Sequence, residues 1–322
     1  MIRYTESDNM PRWDRRRRGW FETYYLKFND PARQLGWWLR YTFLFPKGDG
    51  QAPQATLWGY FFDKSNPSRN FSLRENVLLD ATKLDPEIFF VQIGEAALYT
   101  IGARGKLAGG GHRLEWDLKF DTEGISSRLL PALFYASPWP PTKFVSPYFD
   151  THISGTVIVD GETLSLSHIK GHQGHLWGTD GAPSWAWVHC NDFSGEEGVA
   201  VEMLSAPVAG TEKTLLHLRL PNRDVKASNL MLPGRLMSCR DPHEWVVEVP
   251  RGKEKIVVKA SRDPVDCHVA ENIYPDGSMR QVTNSSVADC EVILFQKNAG
   301  AWIEQTRYFS KSAAAFETGA GA

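Results

Sequence analysis

Cysteine is scarce: Cys190, Cys239, Cys267 and Cys290 are the only four in 322 residues, and they form no C-x-x-C pair. Their long, irregular spacing excludes a zinc ribbon or a dense disulfide framework and fits a cytoplasmic protein with reduced thiols. Long apolar runs are also missing. The first thirty residues are polar and basic, so neither a secretory core nor a transmembrane helix is expected. Charge of one sign is absent as well, with 36 Lys+Arg against 38 Asp+Glu and a formal net charge of −2. Such a balance generates no field that would recruit nucleic acid or an anionic bilayer. The short run Arg15 to Arg18 reads as a solvated patch ahead of a strand. Helical periodicity is confined to three candidates: Arg74 to Leu84, Thr122 to Phe134, and the alanine-rich stretch near Ala313.

What is present is period-2 alternation. In the segment from Gly36, Trp37, Leu39, Tyr41, Phe43 and Phe45 share one face. From His112 to Phe120, Leu114, Trp116, Leu118 and Phe120 alternate with Arg113, Glu115, Asp117 and Lys119, giving a ribbon with one apolar and one charged side. Similar runs recur near 20–28, 55–62, 87–93, 149–159, 163–170, 184–193, 198–205, 213–220, 244–249, 255–260, 291–296 and 301–309, separated by Gly, Pro, Asn and Asp clusters. The chain is therefore expected to be all-β with little helix. The proline-rich passage Pro131 to Pro147 supplies few ladder donors and marks the expected boundary between two antiparallel β-barrels, 1–145 and 150–322. Closure into barrels removes exposed sheet edges.

Aromatics are concentrated early, with 16 of the 39 in the first 62 residues. They could simply fill a barrel core, or they could line a cavity for an apolar ligand. Five of the nine histidines lie between His152 and His189. On alternation, Trp185, Trp187, His189, Asn191 and Phe193 share a face, which interleaves two polar groups with rings. In an enclosed cavity, His189 and Asn191 could bind a ligand oxygen or move a proton. His168, His172, His175 and His189 could in principle offer imidazoles to a metal. Their period-2 placement gives no convergent triad, so neither a metal nor another cofactor is expected.

Glu22 is the other residue out of place, because alternation puts it with Trp20, Tyr24, Leu26 and Phe28. Burial would raise its pKa and keep it protonated near neutral pH, as a general acid requires. Alternatively it pairs with an arginine such as Arg40 on a neighbouring strand. Asp180, Asp192 and Glu202 are lesser carboxylate candidates.

The early Trp20-Phe21-Glu22-x-Tyr24-Tyr25-x-Lys27 strand, followed by Gly171-His172-Gln173-x-His175-x-Trp177-Gly178 and Trp185-x-Trp187, resembles a known family. It is similar to the two-barrel lipocalin-like superfamily of tocopherol cyclase, the carotenoid hydratase hydroxyneurosporene synthase and fungal Diels-Alderases, and most of all to an uncharacterised bacterial branch. The resemblance implies two lipocalin-like β-barrels holding an apolar ligand. Through it, Glu22, His175, Trp177, Gly178, Trp185 and Trp187 match family positions, while His189-Cys190-Asn191 departs from the cyclase pattern. The expected activity is hydration or cyclisation of an isoprenoid or polyketide-like alkene, acid-catalysed and cofactor-independent. Glu22, His175 and His189 are the candidate catalytic groups, and Tyr24, Trp177, Trp185, Trp187 and Asn191 the substrate contacts. The alternative is a non-catalytic lipid carrier. The expected partner is a hydrophobic small molecule, collected through peripheral membrane contact, with no nucleic acid and no transmembrane segment.

Overall fold

The computed structural model describes all residues except 1–5, 14–16, 49, 122, 231–233, 235 and 322. It is nearly all strand, in two antiparallel sheets. The first contains β1 (Trp20–Asp30), β2 (Leu35–Phe45), β3 (Gln54–Asp63), β4 (Phe71–Leu78), β5 (Thr82–Leu84) and β6 (Phe90–Ile93). It continues with β7 (Ala96–Tyr99), β8 (Gly102–Gly109), β9 (His112–Phe120), β10 (Ile125–Ser127), β11 (Thr142–Val159) and β12 (Glu162–Gly178). The second contains β13 (Ser184–Cys190), β14 (Ala200–Val208), β15 (Thr211–Leu220), β16 (Arg223–Ser228) and β17 (Met237–Arg240). It is completed by β18 (Glu244–Arg251), β19 (Glu254–Ser261), β20 (His268–Ile273), β21 (Met279–Asn298) and β22 (Ala301–Gly321).

The two sheets repeat one topology. In the first, the order is β4-β3-β2-β1-β12-β11-β9-β8-β7-β6-β5, with β10 pairing β11. In the second it is β16-β15-β14-β13-β22-β21-β19-β18-β17, with β20 pairing β21. Each sheet thus joins its first strand to its last and curls round its own core into a lipocalin-like barrel. Tyr24, Phe28, Trp37, Tyr41 and Leu118 fill the first core, and Val188, Met203, Leu218, Trp245 and Phe316 the second.

The boundary expected at 145–150 instead falls inside β11, which pairs with β9 and β12 of the first sheet. The chain changes sheet between Gly178 and Ser184. The prolines precede or interrupt a strand rather than separating units: between Val145 and Tyr148, around Pro147, the β11–β12 register shifts. Two expected helices are also strand. Phe71 and Leu73 point inward and Ser72 and Arg74 outward, so β4 runs to Leu78 before a 3₁₀ turn. Ala313–Ala315 belong to β22, where small side chains let the two sheets approach closely. The third candidate contains β10 and touches a short helix, α1 (Ala132–Ala136), whereas its first residue, Thr122, lies outside the described residues. Arg15 and Arg16 lie outside them too. Among the described residues no helix is long and apolar enough to cross a membrane.

The outer face of β1 and β2 meets the second sheet. Tyr25, Trp38 and Phe62 pack there against Trp187, Val287 and Ala315. Polar groups tie the seam: Lys27 Nζ donates to the Ala313 carbonyl at 2.6 Å and Asn29 Nδ2 to that of Ser286 at 2.6 Å.

Candidate active site

Alternation along β1 sends its side chains to two different places. Trp20, Glu22 and Tyr24 enter the first barrel, whereas Phe21, Thr23 and Tyr25 face the second sheet. Register carries this split onto β12, where Tyr24 opposes His175 and Glu22 opposes Trp177, while Lys27 opposes His172 and Tyr25 opposes Gly174. Two polar groups result.

The first is enclosed in the barrel. Glu22 Oε1 lies 2.9 Å from His175 Nε2 and accepts from the Tyr24 hydroxyl at 2.8 Å and the Arg12 amide at 2.7 Å. Its Oε2 accepts from the Trp13 amide at 2.9 Å and the Trp20 indole at 3.4 Å. His175 Nδ1 is 2.7 Å from the Asp8 carbonyl, and the Arg12 guanidinium lies over Trp177. Burial acts to raise the Glu22 pKa, but the bond and charge of His175, the Arg12 amide and the Tyr24 hydroxyl outweigh it and hold the carboxyl below its usual range. The expected neutral acid is therefore an ionised carboxylate, because the segment before β1 brings amide donors to it that alternation along β1 does not reveal. Its partner is His175. Arg40 lies on the opposite face of the sheet and donates to Asn272 at 2.7 Å.

The second group lies in the seam. A cavity of about 310 Å³ opens between the sheets, walled by Phe21, Tyr25, Trp38, Phe144 and Leu176 on one side and Trp185, Trp187, Leu204 and Leu215 on the other. Thr23, Arg40, Lys213, Asn272 and Glu317 supply most of its polar lining. Glu317 is held by the Trp185 indole at 2.9 Å and Asn284 at 3.0 Å, while the buried Arg40 Nε has no hydrogen-bond partner. Gly174 shapes this wall, since a Cβ there would meet the Tyr25 ring at 2.2 Å.

Beneath Tyr25 and Trp187 two cross-strand rows face each other. Lys27 and His172 come from the first sheet, and His189, Glu202 and His217 from the second. The His172 and His189 rings are 3.8 Å apart between centroids. Each of the Tyr25 and Trp187 rings lies 5.7 Å from His172. Glu202 Oε1 accepts from Ser146 at 2.7 Å and the Trp187 indole at 3.2 Å and lies 3.8 Å from His172 Nε2. Its Oε2, both His172 nitrogens and His189 Nδ1 are buried without a hydrogen-bond partner. Burial raises Glu202 to about 7 against the pull of its donors. Burial and the nearby Lys27 charge keep His172 and His189 well below the usual imidazole range, and His172 further lowers His189. The cluster can therefore hold a transferable proton beside neutral bases near pH 7.

Of the expected residues, Trp185 and Trp187 line the cavity. His189 is in the buried row below it, with Nε2 2.8 Å from the Phe149 carbonyl. Asn191 instead donates to the Gly171 carbonyl at 2.8 Å and Asp150 at 3.1 Å, tying the two sheets together. Glu22, Tyr24, His175 and Trp177 lie in or at the first barrel and do not line the cavity. The histidines weighed as metal ligands are divided among an exposed bulge at His168, the seam at His172 and His189, and the barrel at His175. Glu202 ranks in the sequence only as a lesser candidate, although a carboxylate within Ala200-Val201-Glu202-Met203-Leu204 is as conspicuous as Glu22 in its own strand.

No family sequence model matches the chain, and no curated protein resembles it in sequence. Solved structures match it in fold. Kievitone hydratase from Nectria haematococca superimposes with a TM-score of 0.56 at 10% identity, over 100% of this chain and 93% of its own. The chain shares its two-barrel fold. An AttH-type protein of Nitrosomonas europaea gives a TM-score of 0.53 at 12% identity, over 94% of this chain and 92% of its own. At these identities the likeness concerns the fold, and chemistry must be argued from side chains.

Proposed function

We propose that the chain is a cofactor-independent enzyme of hydratase or cyclase type, acting on an isoprenoid or polyketide-like molecule in the seam cavity. The observation that carries this reading is Glu202: a fully buried carboxyl with one unpartnered oxygen, raised to about 7, directly behind the cavity-wall residue Trp187. A substrate that displaces the Trp187 indole from Glu202 gains access to the acid. Protonation of an alkene carbon leaves a cation, which the faces of Trp187, Trp38 and Tyr25 stabilise. The proton on an attacking water or on an internal hydroxyl then returns, by way of His172, to the Glu202 carboxylate, which restores the acid. Exclusion of water decides between hydration and ring closure.

In this reading Glu22 and His175 hold the Asp8–Trp13 segment in the first barrel, and His189 positions His172. The exposed Trp139, at 44%, lines the cavity beside Pro140 and Pro141 and suits collection of an apolar substrate from a membrane surface. Four free cysteines suit a cytoplasmic setting. Similarity to a hydratase fold adds support by analogy alone.

Carriage without turnover is the alternative, favoured by the mostly apolar wall. Incubation of the protein with bacterial lipid extract, followed by mass spectrometry of bound material, separates the two. A gain of one water or a new ring isomer, lost in Glu202→Gln, supports catalysis. An unchanged ligand bound equally by both proteins establishes a carrier.

A further inference from the structure

A second cluster lies on the surface of the first barrel, outside the seam cavity. Its three members come from different segments: Asp121 just after β9, His152 in β11 and His168 in β12. The β11–β12 register shifts between Ile153 and Gly155, which pair with Ile169 and Leu166. Ser167 and His168 therefore oppose the single residue Ser154, and His168 adopts a left-handed φ of 54°. Non-glycine residues adopt that conformation only in a minority of cases, histidine more readily than most, at a cost on the order of 1 kcal/mol. Here it swings the His168 imidazole onto that of His152, with centroids 3.7 Å apart and planes within 7°.

The donor atoms lie close together. His168 Nδ1 lies 3.5 Å and His152 Nδ1 3.8 Å from the same Asp121 oxygen, Oδ2, and all three ligand atoms lie within 4.8 Å of one another. These separations exceed a good N–H···O bond. They are close to the spacing of about 3.4 Å that ligands at about 2.1 Å adopt around a tetrahedral ion. The backbone holds the arrangement from three directions. The Asp121 amide donates to the His152 carbonyl at 3.0 Å, Thr151 Oγ1 donates to the Asp121 carbonyl at 3.0 Å, and the His168 amide donates to Ser154 Oγ at 2.9 Å. The neighbouring Lys170 ammonium is occupied by Glu197 at 2.9 Å and Asp150 at 3.6 Å, which moderates its repulsion of a cation.

We propose that Asp121, His152 and His168 bind a divalent transition-metal ion of the zinc class. Two imidazoles and one carboxylate match the preference of such ions for mixed N/O donors, and the exposed side leaves room for water as the remaining ligand. The ion pins the segment after β9 to the β11–β12 bulge. The expectation of no metal concerned His168, His172, His175 and His189 as one set; only His168 takes part here, with Asp121 and His152 as partners from outside that set.

The test is calorimetric titration of chelator-treated full-length protein with zinc chloride, with thermal denaturation alongside. One equivalent should bind with a dissociation constant below about 10 μM, and Tm should rise with added zinc. His152→Ala and His168→Ala should each weaken binding at least tenfold. His168→Gly suits the left-handed backbone, so it should keep or raise the zinc-free Tm while losing the zinc-dependent rise. His112→Ala removes another exposed histidine, 2.8 Å from Asp160, and should leave the titration unchanged. Absence of a one-equivalent step, or a step that survives in His168→Gly, would overturn the proposal. So would equal loss in His112→Ala.

Discussion

The His172 and His189 rings face each other across the seam between the sheets, tilted by 30° with centroids 3.8 Å apart, and three of their four ring nitrogens lack a hydrogen-bond partner. Two imidazoles so placed stay neutral, since burial and Lys27 oppose protonation of either one. Their folded-state pKa values are depressed, so the unfolded chain binds more protons below about pH 6.5. Stability is then present above that pH and lost below it, at about 1.4 kcal/mol per pH unit for each histidine. Urea unfolding between pH 5 and 7.5 checks the slope. A His172→Phe/His189→Phe double variant should flatten it, and an unchanged slope would contradict the assignment.

Glu202 has the opposite sign. Its folded-state pKa, raised to about 7, exceeds the ordinary carboxyl value of 4.5, so the stability it contributes is full below about pH 4.5 and is lost as pH rises through 7. Glu202→Gln removes this loss and should be more stable than the parent at pH 8 by up to about 3 kcal/mol, with little difference at pH 4.5. Turnover by the parent should decline above about pH 7 as the acid ionises, and the variant should bind substrate without converting it. Parallel melting curves and product assays test both halves.

Glu22→Gln should do the reverse. An amide retains one acceptor oxygen but turns donor hydrogens toward a shell of existing donors, so a loss on the order of 3 kcal/mol is expected. Because the Glu22 carboxyl is held below its usual range by His175 and the donors around it, its stabilisation is present above about pH 4.5 and fades as pH falls through its folded value. Activity per folded molecule should match the parent. A stable but inactive Glu22→Gln protein would return Glu22 to the catalytic machinery.

Gly174→Ala probes the cavity wall without touching an ionisable group. The added methyl meets the Tyr25 ring and must push it toward the cavity, at a cost of about 1–3 kcal/mol. Ligand affinity should fall more than tenfold by equilibrium titration. Asn191→Ala, by contrast, breaks the ties to Gly171 and Asp150, and should lower Tm while leaving the affinity of the folded protein unchanged.

Much of this was legible in the chain. Alternation at Trp37 to Phe45 and Leu114 to Phe120 identifies strands because one side of each must leave water, and those strands are present. The same arithmetic puts Trp185, Trp187, His189 and Asn191 on one face. What period 2 does not contain is the identity of the opposing surface: it groups Glu22 with Tyr24, but only pairing with β12 shows that His175 closes that group inside a barrel. His189, Glu202 and His217 become neighbours through strand register, which no local spacing encodes. Strand assignment failed where small residues meet a packed surface, as at Ala313, since an alanine run imitates helix propensity.

The junction of β1 with β12 imposes an order on synthesis. Glu22 and His175 are 153 residues apart, so the first barrel cannot close until the chain beyond Gly178 has emerged from the ribosome. Until then β1 offers an unpaired edge flanked by densely aromatic strands, a surface that favours misassembly. The second sheet repeats the delay, because β13 waits for β22 at the far end of the described chain. Folding of this architecture should therefore be slow, governed by two long loop closures rather than by local hairpins. A nascent chain halted near residue 150 should be more prone to aggregate than one released after residue 180.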